Sequence, residues 1–214
     1  MENGNKYTKI TTFGTDVPLK IRSGHFATNH AHINYYIDMT TMKARTSEAQ
    51  EGARALVGMY LNDTVVDTIV CMEGTEVIGA FLAEELAKSG FLNVNAHKTI
   101  YVVSPEFNNN SQIIFRDNLI PMIQGKHVMI LMATVTSGLT ANKAMECIQY
   151  YGGILTGISA AFSALSEVNG MPVKSVFGKK DLPDYAYYDY RSCPYCKAGK
   201  RLDALVNTFG YSSL

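Results

Sequence analysis

The sequence predicts an α/β fold built on a parallel sheet, because short apolar runs alternate with amphipathic helical segments. The apolar runs lie at residues 68–72, 99–103, 127–133 and 154–158. Strands that are apolar at nearly every position are typical of parallel sheets covered by helices on both faces. The chain has 214 residues, of which 47% are hydrophobic, so it can bury one sizeable core.

Three helices are predicted from the spacing of apolar residues along the chain. The first spans residues 47–61 and opens with Ser47 and Gln50 at the spacing of a capping box. The second spans residues 76–88 and the third residues 140–151, each with an apolar stripe at helical spacing. Each helix lies next to an apolar run, as the alternation of a parallel α/β sheet requires.

Two further segments do not fit this alternation. Residues 104–126 contain three consecutive asparagines and two prolines with little periodicity, so they are predicted to form a long loop. Residues 178–214 are polar and rich in tyrosine, and we expect them to form a C-terminal appendage to the sheet. The sequence therefore predicts one domain over residues 1–214.

Composition excludes several classes of protein. Lysine plus arginine and aspartate plus glutamate each number 19, and zero net charge argues against a broad nucleic-acid surface. Apolar runs fall short of the ~20 residues of a membrane span, and the N-terminal residues show no apolar signal core. Four cysteines are too few for a disulfide scaffold. We therefore expect a cytoplasmic protein with no nucleic-acid or membrane partner.

The strongest functional signal is the loop that follows the third predicted strand. Free N–H groups at a helix N-terminus, together with hydroxyl groups, form a pocket for a phosphate. Gly138 would allow the backbone to approach a phosphate closely. No acidic residue lies between Asp117 and Glu146, so no carboxylate in this segment would repel an anion. The alternative is an ordinary turn with Thr140 as helix cap. The predicted phosphate-binding residues are Thr134, Thr136, Ser137, Gly138, Leu139 and Thr140.

A second turn from strand to helix contains Glu73, Gly74 and Thr75. Ligands of open α/β sheets lie beyond the carboxyl ends of the strands, so both turns are predicted to face one crevice. The alternative is again an ordinary turn, in which Glu76 interacts favourably with the helix dipole.

Residues 125–140 resemble the signature of type I phosphoribosyltransferases, a strand followed by a Thr/Ser/Gly phosphate loop. Residues 23–26, His32 and residues 35–38 are similar to the N-terminal segment of the orotate phosphoribosyltransferase branch. Residues 193–199 resemble the Cys-Pro-x-Cys-x-x-Gly tail of some members. The resemblance implies a parallel sheet flanked by helices, a long mobile loop, and a small hood formed by about residues 1–45 and 178–214.

The resemblance also implies a reaction. Ribose 5-phosphate would pass from phosphoribosyl pyrophosphate to a base such as orotate, with Mg²⁺, in pyrimidine nucleotide synthesis. The 5′-phosphate would bind at residues 136–140 and the pyrophosphate at Glu73, Gly74 and Thr75. The resemblance further implies a homodimer that shares its active sites across a two-fold axis. The residues expected near the base are Phe26, Tyr35 and Tyr36, and those expected as interface anchors are Tyr35, Tyr36, Phe107 and Phe115.

The chain departs from the family pattern at the positions whose side chains take part in catalysis in that family. Two acidic residues that hold the ribose hydroxyls are replaced by Met132 and Ala133, which carry no side-chain acceptor equivalent to a carboxylate. Residues 103–105 stand where the mobile loop carries its cationic pair, and Arg116 is the one cation in residues 104–124. The catalytic residues, and whether the chain is an enzyme, therefore stay open.

Three functions are compatible with this pattern. One is an orotate-type phosphoribosyltransferase, an enzyme of the glycosyltransferase class, whose activity is weak or changed. Another is a catalytically silent protein of the same fold that binds a nucleotide or sugar phosphate. The last is a regulatory partner that dimerises with an active relative.

Cysteines and histidines do not by themselves predict a metal site. Cys193 and Cys196 have zinc-knuckle spacing, but a structural zinc needs about four ligands and no second pair follows in sequence. A reduced, packed cysteine pair is favoured over a metal or redox role. His25, His30 and His32 are close in sequence, and histidines in a polar segment are more often solvated than metal-bound.

Overall fold

The computed structural model describes residues 7–88, 93–96, 98–109 and 112–214. The strands are β1 (Thr8–Ile10), β2 (Leu19–Ala27), β3 (His32–Asp38), β4 (Thr68–Cys71), β5 (Tyr101–Val103), β6 (Glu106–Phe107), β7 (Ile113–Ile114), β8 (His127–Val135), β9 (Ile154–Ser163), β10 (Glu167–Val168), β11 (Met171–Gly178), β12 (Tyr187–Tyr188), β13 (Ala204–Asn207) and β14 (Gly210–Ser213). The helices are α1 (Thr40–Ala44), α2 (Thr46–Val57), α3 (Glu76–Ala87), α4 (Leu139–Tyr150) and α5 (Pro194–Lys197). Among the described residues, every helix is too short or too polar to cross a membrane.

The predicted parallel sheet is present, with strand order β10-β11-β9-β8-β4-β5. Strands β4 and β8 are parallel neighbours, with Val70 opposite Ile130, and β9 pairs in parallel with both β8 and β11. Only β10 runs antiparallel to its neighbour among the pairs described in this sheet. Because adjacent parallel strands end at the same edge of a sheet, the loops after β4 and β8 lie side by side. The prediction that these two loops lie at one edge is therefore confirmed.

Both faces of strand β8 are buried, which explains its continuous apolar sequence. Met129, Leu131 and Ala133 point into the core beneath α2 and α3. Met132 and its alternating neighbours on β8 point into a second core that includes the buried face of α4. The end of β8 is therefore packed on both sides.

The predicted helices are present with altered ends. The third begins one residue early, at Leu139, and α2 stops at Val57 although the pattern predicted helix to residue 61. Tight turns after α2 place Tyr60 beneath β9, where its hydroxyl accepts a hydrogen bond from Ser159 Oγ at 2.6 Å. Tyr60 is buried although it lies beyond the helix. Its apolar side chain therefore extended the helical spacing of the sequence past the true end of α2.

A second sheet joins the two ends of the chain, in the order β12-β3-β2-β13-β14 with β1 paired to β2. Phe26 of β2 lies opposite Ala204 of β13, and Ile33 of β3 lies opposite Tyr187 of β12. We call this sheet the hood. Its strands come from the N-terminal and C-terminal segments that the resemblance placed there.

The segment after β5 contains regular structure where the sequence predicted a loop. Strands β6 and β7 form a hairpin, and Arg116 pairs with Glu106 at 2.6 Å. Residues 110–111, which lie between the two strands in sequence, are outside the described residues. Phe107 is exposed, but Phe115 is buried against Tyr151, so Phe115 offers no surface to a second subunit. The homodimer stays a prediction.

Candidate functional site

The loop between β8 and α4 places an uncapped helix N-terminus at the carboxyl edge of the sheet. Gly138 is the N-cap residue, with φ of 77° and ψ of −5°, and among the described residues no side chain caps α4. Thr140 lies inside the helix and is therefore not the cap that the alternative interpretation required. Thr136 and Ser137, which precede Gly138 in the sequence, are partly exposed, and the first N–H groups of the helix have no side-chain cap.

Gly138 is required at this turn for two reasons. Its left-handed backbone conformation is one that glycine adopts without steric cost. A Cβ atom there would also lie 3.2 Å from both Leu165 Cδ1 and Val168 Cγ2. The loop shape thus depends on a residue without a side chain.

The loop after β4 contacts the last residues of strand β8 directly. Glu73 and Gly74 both have positive φ angles, 59° and 79°, and this turn directs the Glu73 side chain towards β8. The Oε2 atom of Glu73 accepts a hydrogen bond from the Thr134 N–H at 3.2 Å. Thr75 fixes the base of the turn, because its hydroxyl donates to Met72 O at 2.8 Å and Leu131 O at 3.1 Å. The turn after β4 therefore packs against the end of β8, beside the loop with which it is predicted to share a crevice.

Opposite charges meet at this crevice. Burial raises the pKa of Glu73, although backbone N–H groups of Thr134 and Ala133 and the Lys43 ammonium act to lower it. Lys43 Nζ donates to Glu73 O at 2.9 Å and to Thr208 O at 2.6 Å. Burial lowers the pKa of Lys43, while Glu73 and Glu76 act to raise it. An ammonium group thus stands beside the turn that the resemblance assigned to pyrophosphate.

The substitution Glu73→Gln is expected to stabilise the protein at neutral pH. Because the folded pKa of Glu73 is raised, the carboxyl stabilises the fold below its unfolded pKa of about 4.3, and this contribution is lost as pH rises through the folded pKa. The gain in free energy of unfolding should therefore grow with pH, measured by urea denaturation at a series of pH values. Glu84→Gln, at an exposed position on α3, is the matched control. A gain that shrinks as pH rises would contradict this assignment.

At the end of β8, Met132 and Ala133 are 1% and 5% exposed. Neither side chain offers an oxygen ligand, and the neighbouring Glu73 carboxylate already accepts the Thr134 N–H. Glu76 in turn accepts a hydrogen bond from Ser104 Oγ at 2.6 Å. These residues do not form the oxygen-rich site that Mg²⁺ prefers.

Sequence comparison finds no relative: no protein-family model and no curated protein matches the chain. Solved structures do match. UMP synthase of Leishmania donovani superposes with a TM-score of 0.56 and 17% identity over 84% of this chain and 36% of its own. Orotate phosphoribosyltransferase of Mycobacterium tuberculosis in complex with phosphoribosyl pyrophosphate superposes with a TM-score of 0.51 and 16% identity, over 69% of this chain and 82% of its own. Adenine phosphoribosyltransferase of Thermoanaerobacter pseudethanolicus superposes with a TM-score of 0.51 and 16% identity, over 67% of this chain and 88% of its own.

The chain has the type I phosphoribosyltransferase fold. The fold class predicted from the sequence is therefore confirmed. Proteins that share this fold include orotate and adenine transferases, so the fold alone does not identify a base.

Within this phosphoribosyltransferase fold, two of the three residues expected near the base are buried. Phe26 is 0% and Tyr36 5% exposed, and their rings lie 6.1 Å apart inside the hood. Tyr35 is partly exposed and lines an open pocket of about 320 Å³. Phe26 and Tyr36 thus pack the hood, while Tyr35 keeps a surface for a ligand.

The pocket beside Tyr35 contains residues that sequence reasoning missed. Its other lining residues are Ser23, Gly24, Asn34, Tyr195, Lys200 and Asp203. Asp203 is held there because its Oδ2 atom accepts the His25 N–H at 2.7 Å. The two residues are 178 positions apart in sequence, which explains why no local pattern indicated this contact.

Proposed function

We propose that this chain binds a ribose 5-phosphate compound, such as phosphoribosyl pyrophosphate or a nucleotide, and is catalytically silent towards orotate. The observation that carries the proposal is a contrast at one edge of the sheet. The N-terminus of α4 has no side-chain cap and follows the partly exposed Thr136 and Ser137, whereas buried Met132 and Ala133 occupy the positions in β8 where the acidic pair is expected. The anion site is therefore kept while the groups expected to hold the ribose are absent.

Phosphate recognition at this loop is supported by charge as well as shape. The first N–H groups of α4 carry the positive end of the helix dipole. The Glu73 carboxylate is held at Thr134, near the end of β8, and Lys43 contacts the turn that carries Glu73. A phosphate near Ser137 would therefore meet the helix N-terminus before it meets the carboxylate.

Loss of the two acids predicts a large catalytic deficit. The resemblance assigns them to the ribose hydroxyls, and charge-assisted hydrogen bonds of this kind contribute about 1.5–3 kcal/mol each. Since about 1.4 kcal/mol is a factor of ten in rate, turnover would fall by ~10²–10⁴-fold. The apolar end of β8 offers nothing that would make up the difference.

A second candidate function is orotate phosphoribosyl transfer with Mg²⁺, in which Glu73 takes the role of the missing acids. The observation that favours it is the 3.2 Å contact between the Glu73 carboxylate and Thr134 N, next to Met132 and Ala133. This places one carboxylate beside the positions that the resemblance assigns to the acidic pair. Transfer of this type passes through a cationic ribosyl centre, which a nearby negative charge stabilises.

Two measurements separate these functions. Calorimetry with ribose 5-phosphate is expected to show binding. An assay of pyrophosphate release from phosphoribosyl pyrophosphate, with Mg²⁺ and a panel of bases including orotate, is expected to show none. Turnover of orotate at ordinary rates of ~1–10³ s⁻¹ would overturn the silent assignment. If Glu73→Gln then abolished that turnover while Glu84→Gln kept it, the second candidate would stand.

A further inference from the structure

We propose that His25, His32, Cys193 and Cys196 form a tetrahedral zinc site that joins the C-terminal tail to the hood. One ligand atom from each of these residues lies within 4.8 Å of the other three. The site lies apart from the phosphate loop, and the proposal does not depend on phosphate binding.

The four ligand atoms face one another at short distances. His25 Nε2 lies 3.1 Å from His32 Nδ1, 3.5 Å from Cys193 Sγ and 3.7 Å from Cys196 Sγ. Cys196 Sγ lies 3.3 Å from His32 Nδ1. Since every pair lies within 4.8 Å, the four atoms surround one small space.

These distances match those that zinc imposes on its ligands. Zinc–sulfur bonds of about 2.3 Å and zinc–nitrogen bonds of about 2.0–2.1 Å, at tetrahedral angles, separate two nitrogens by roughly 3.3 Å and nitrogen from sulfur by roughly 3.6 Å. The observed separations of 3.1 Å between nitrogens and 3.3–3.7 Å between nitrogen and sulfur lie close to these values. A zinc ion would thus need only small shifts of the side chains.

The groups behind His25 orient it as a ligand. Its Nδ1 atom lies 3.0 Å from Lys200 O and 3.3 Å from Arg201 O. A backbone carbonyl only accepts hydrogen bonds, so Nδ1 is the nitrogen that donates, and Nε2 is the nitrogen that faces the cluster. Zinc-binding histidines commonly have such a carbonyl partner on the nitrogen that does not bind the metal.

The ligand set selects a soft or borderline divalent metal. Two thiolates and two imidazoles in tetrahedral arrangement are typical of structural zinc, whereas Mg²⁺ and Ca²⁺ prefer oxygen ligands. Two thiolates also neutralise the charge of the ion. With all four positions taken by protein atoms, the site is closed and is suited to a structural role.

The metal would fix one wall of the pocket beside Tyr35. His25 lies in β2 and His32 begins β3, while Cys193 and Cys196 flank the first residues of α5. Tyr195, between the two cysteines, and Lys200, whose carbonyl contacts His25, both line that pocket. Metal binding would therefore hold the C-terminal tail in the position that shapes the pocket.

Metal analysis of the full-length protein tests this proposal. Protein purified after growth with zinc and passage over a chelating resin is expected to hold one zinc per chain by atomic emission. His32→Ala and Cys196→Ser should lose the metal, whereas His30→Ala and Cys147→Ser should keep it. His30 lies two residues before His32, in the bend that leads into β3, but outside the cluster, and Cys147 donates instead to Ile113 O. Equal zinc in all four variants would overturn the site.

A second measurement works even where a variant fails to fold. Cys196 is exposed, so a maleimide should label it in native protein unless zinc holds its thiolate. We expect protection in the zinc-loaded protein, labelling after chelation, and protection again after zinc is restored. Replacement of zinc by Co²⁺ should give the visible absorption of a tetrahedral thiolate complex. Freshly purified protein that is folded but contains no metal, or that carries a Cys193–Cys196 disulfide, would contradict the proposal.

Discussion

Replacing Gly138 by aspartate should weaken the binding of ribose 5-phosphate by about 10²–10³-fold. The new carboxylate would stand at the N-terminus of α4, where the phosphate is proposed to bind. Two like charges ~4 Å apart at an effective dielectric of ~20 repel by about 4 kcal/mol. Calorimetry on folded protein, with thermal unfolding measured in parallel, provides the test.

Two control variants separate charge from shape at this position. Gly138→Ala adds the Cβ that would lie 3.2 Å from Leu165 and Val168, but it adds no charge. Gly170→Asp adds the same charge at a glycine of nearly identical φ, 78°, where a Cβ meets nothing within 4 Å. We expect intermediate binding for the first and unchanged binding for the second. Unchanged affinity in Gly138→Asp itself would place the phosphate elsewhere.

The sequence was sufficient to predict the elements whose environment is uniform. Strand β8 is apolar at successive positions because both of its faces are buried, and that local pattern identifies a parallel core strand. The segment that contains the proposed phosphate loop could be predicted for a similar reason, since a strand, a Thr/Ser/Gly turn and a helix are adjacent in sequence. The helix-end error at residues 58–61 arose because burial of Tyr60 imitates helical spacing.

Long-range contacts were beyond what local patterns can report. The Glu73 carboxylate meets Thr134 N across 61 residues, and Cys193 meets His25 across 168. Each partner alone has an ordinary explanation, as a turn glutamate or a polar histidine. Only the pairing of β2 with β13 and of β3 with β12 brings the histidines to the cysteines.

Replacing Met132 by glutamate should destabilise the protein by about 3–5 kcal/mol, the range for an unpaired buried charge. Met132 is 1% exposed in the core beneath α4, where its neighbours are apolar. Burial should raise the pKa of the new carboxyl, so the loss of stability should be small below about pH 4 and grow as pH rises. Urea denaturation across that pH range checks both the size and the direction.

Met59→Glu is the matched control, because Met59 is 38% exposed and the same change there should alter stability by no more than ~0.5 kcal/mol. A large loss at Met132 alone would mean that the missing acids cannot be restored by changing this residue. The end of β8 would then have been repacked as core, which agrees with a binding function better than with a damaged enzyme. If Met132→Glu were instead stable and strengthened phosphoribosyl pyrophosphate binding in Mg²⁺, its side chain would reach the crevice. The proposal that the protein is catalytically silent would then depend only on Met132 and Ala133, two residues that mutation can change back to acids.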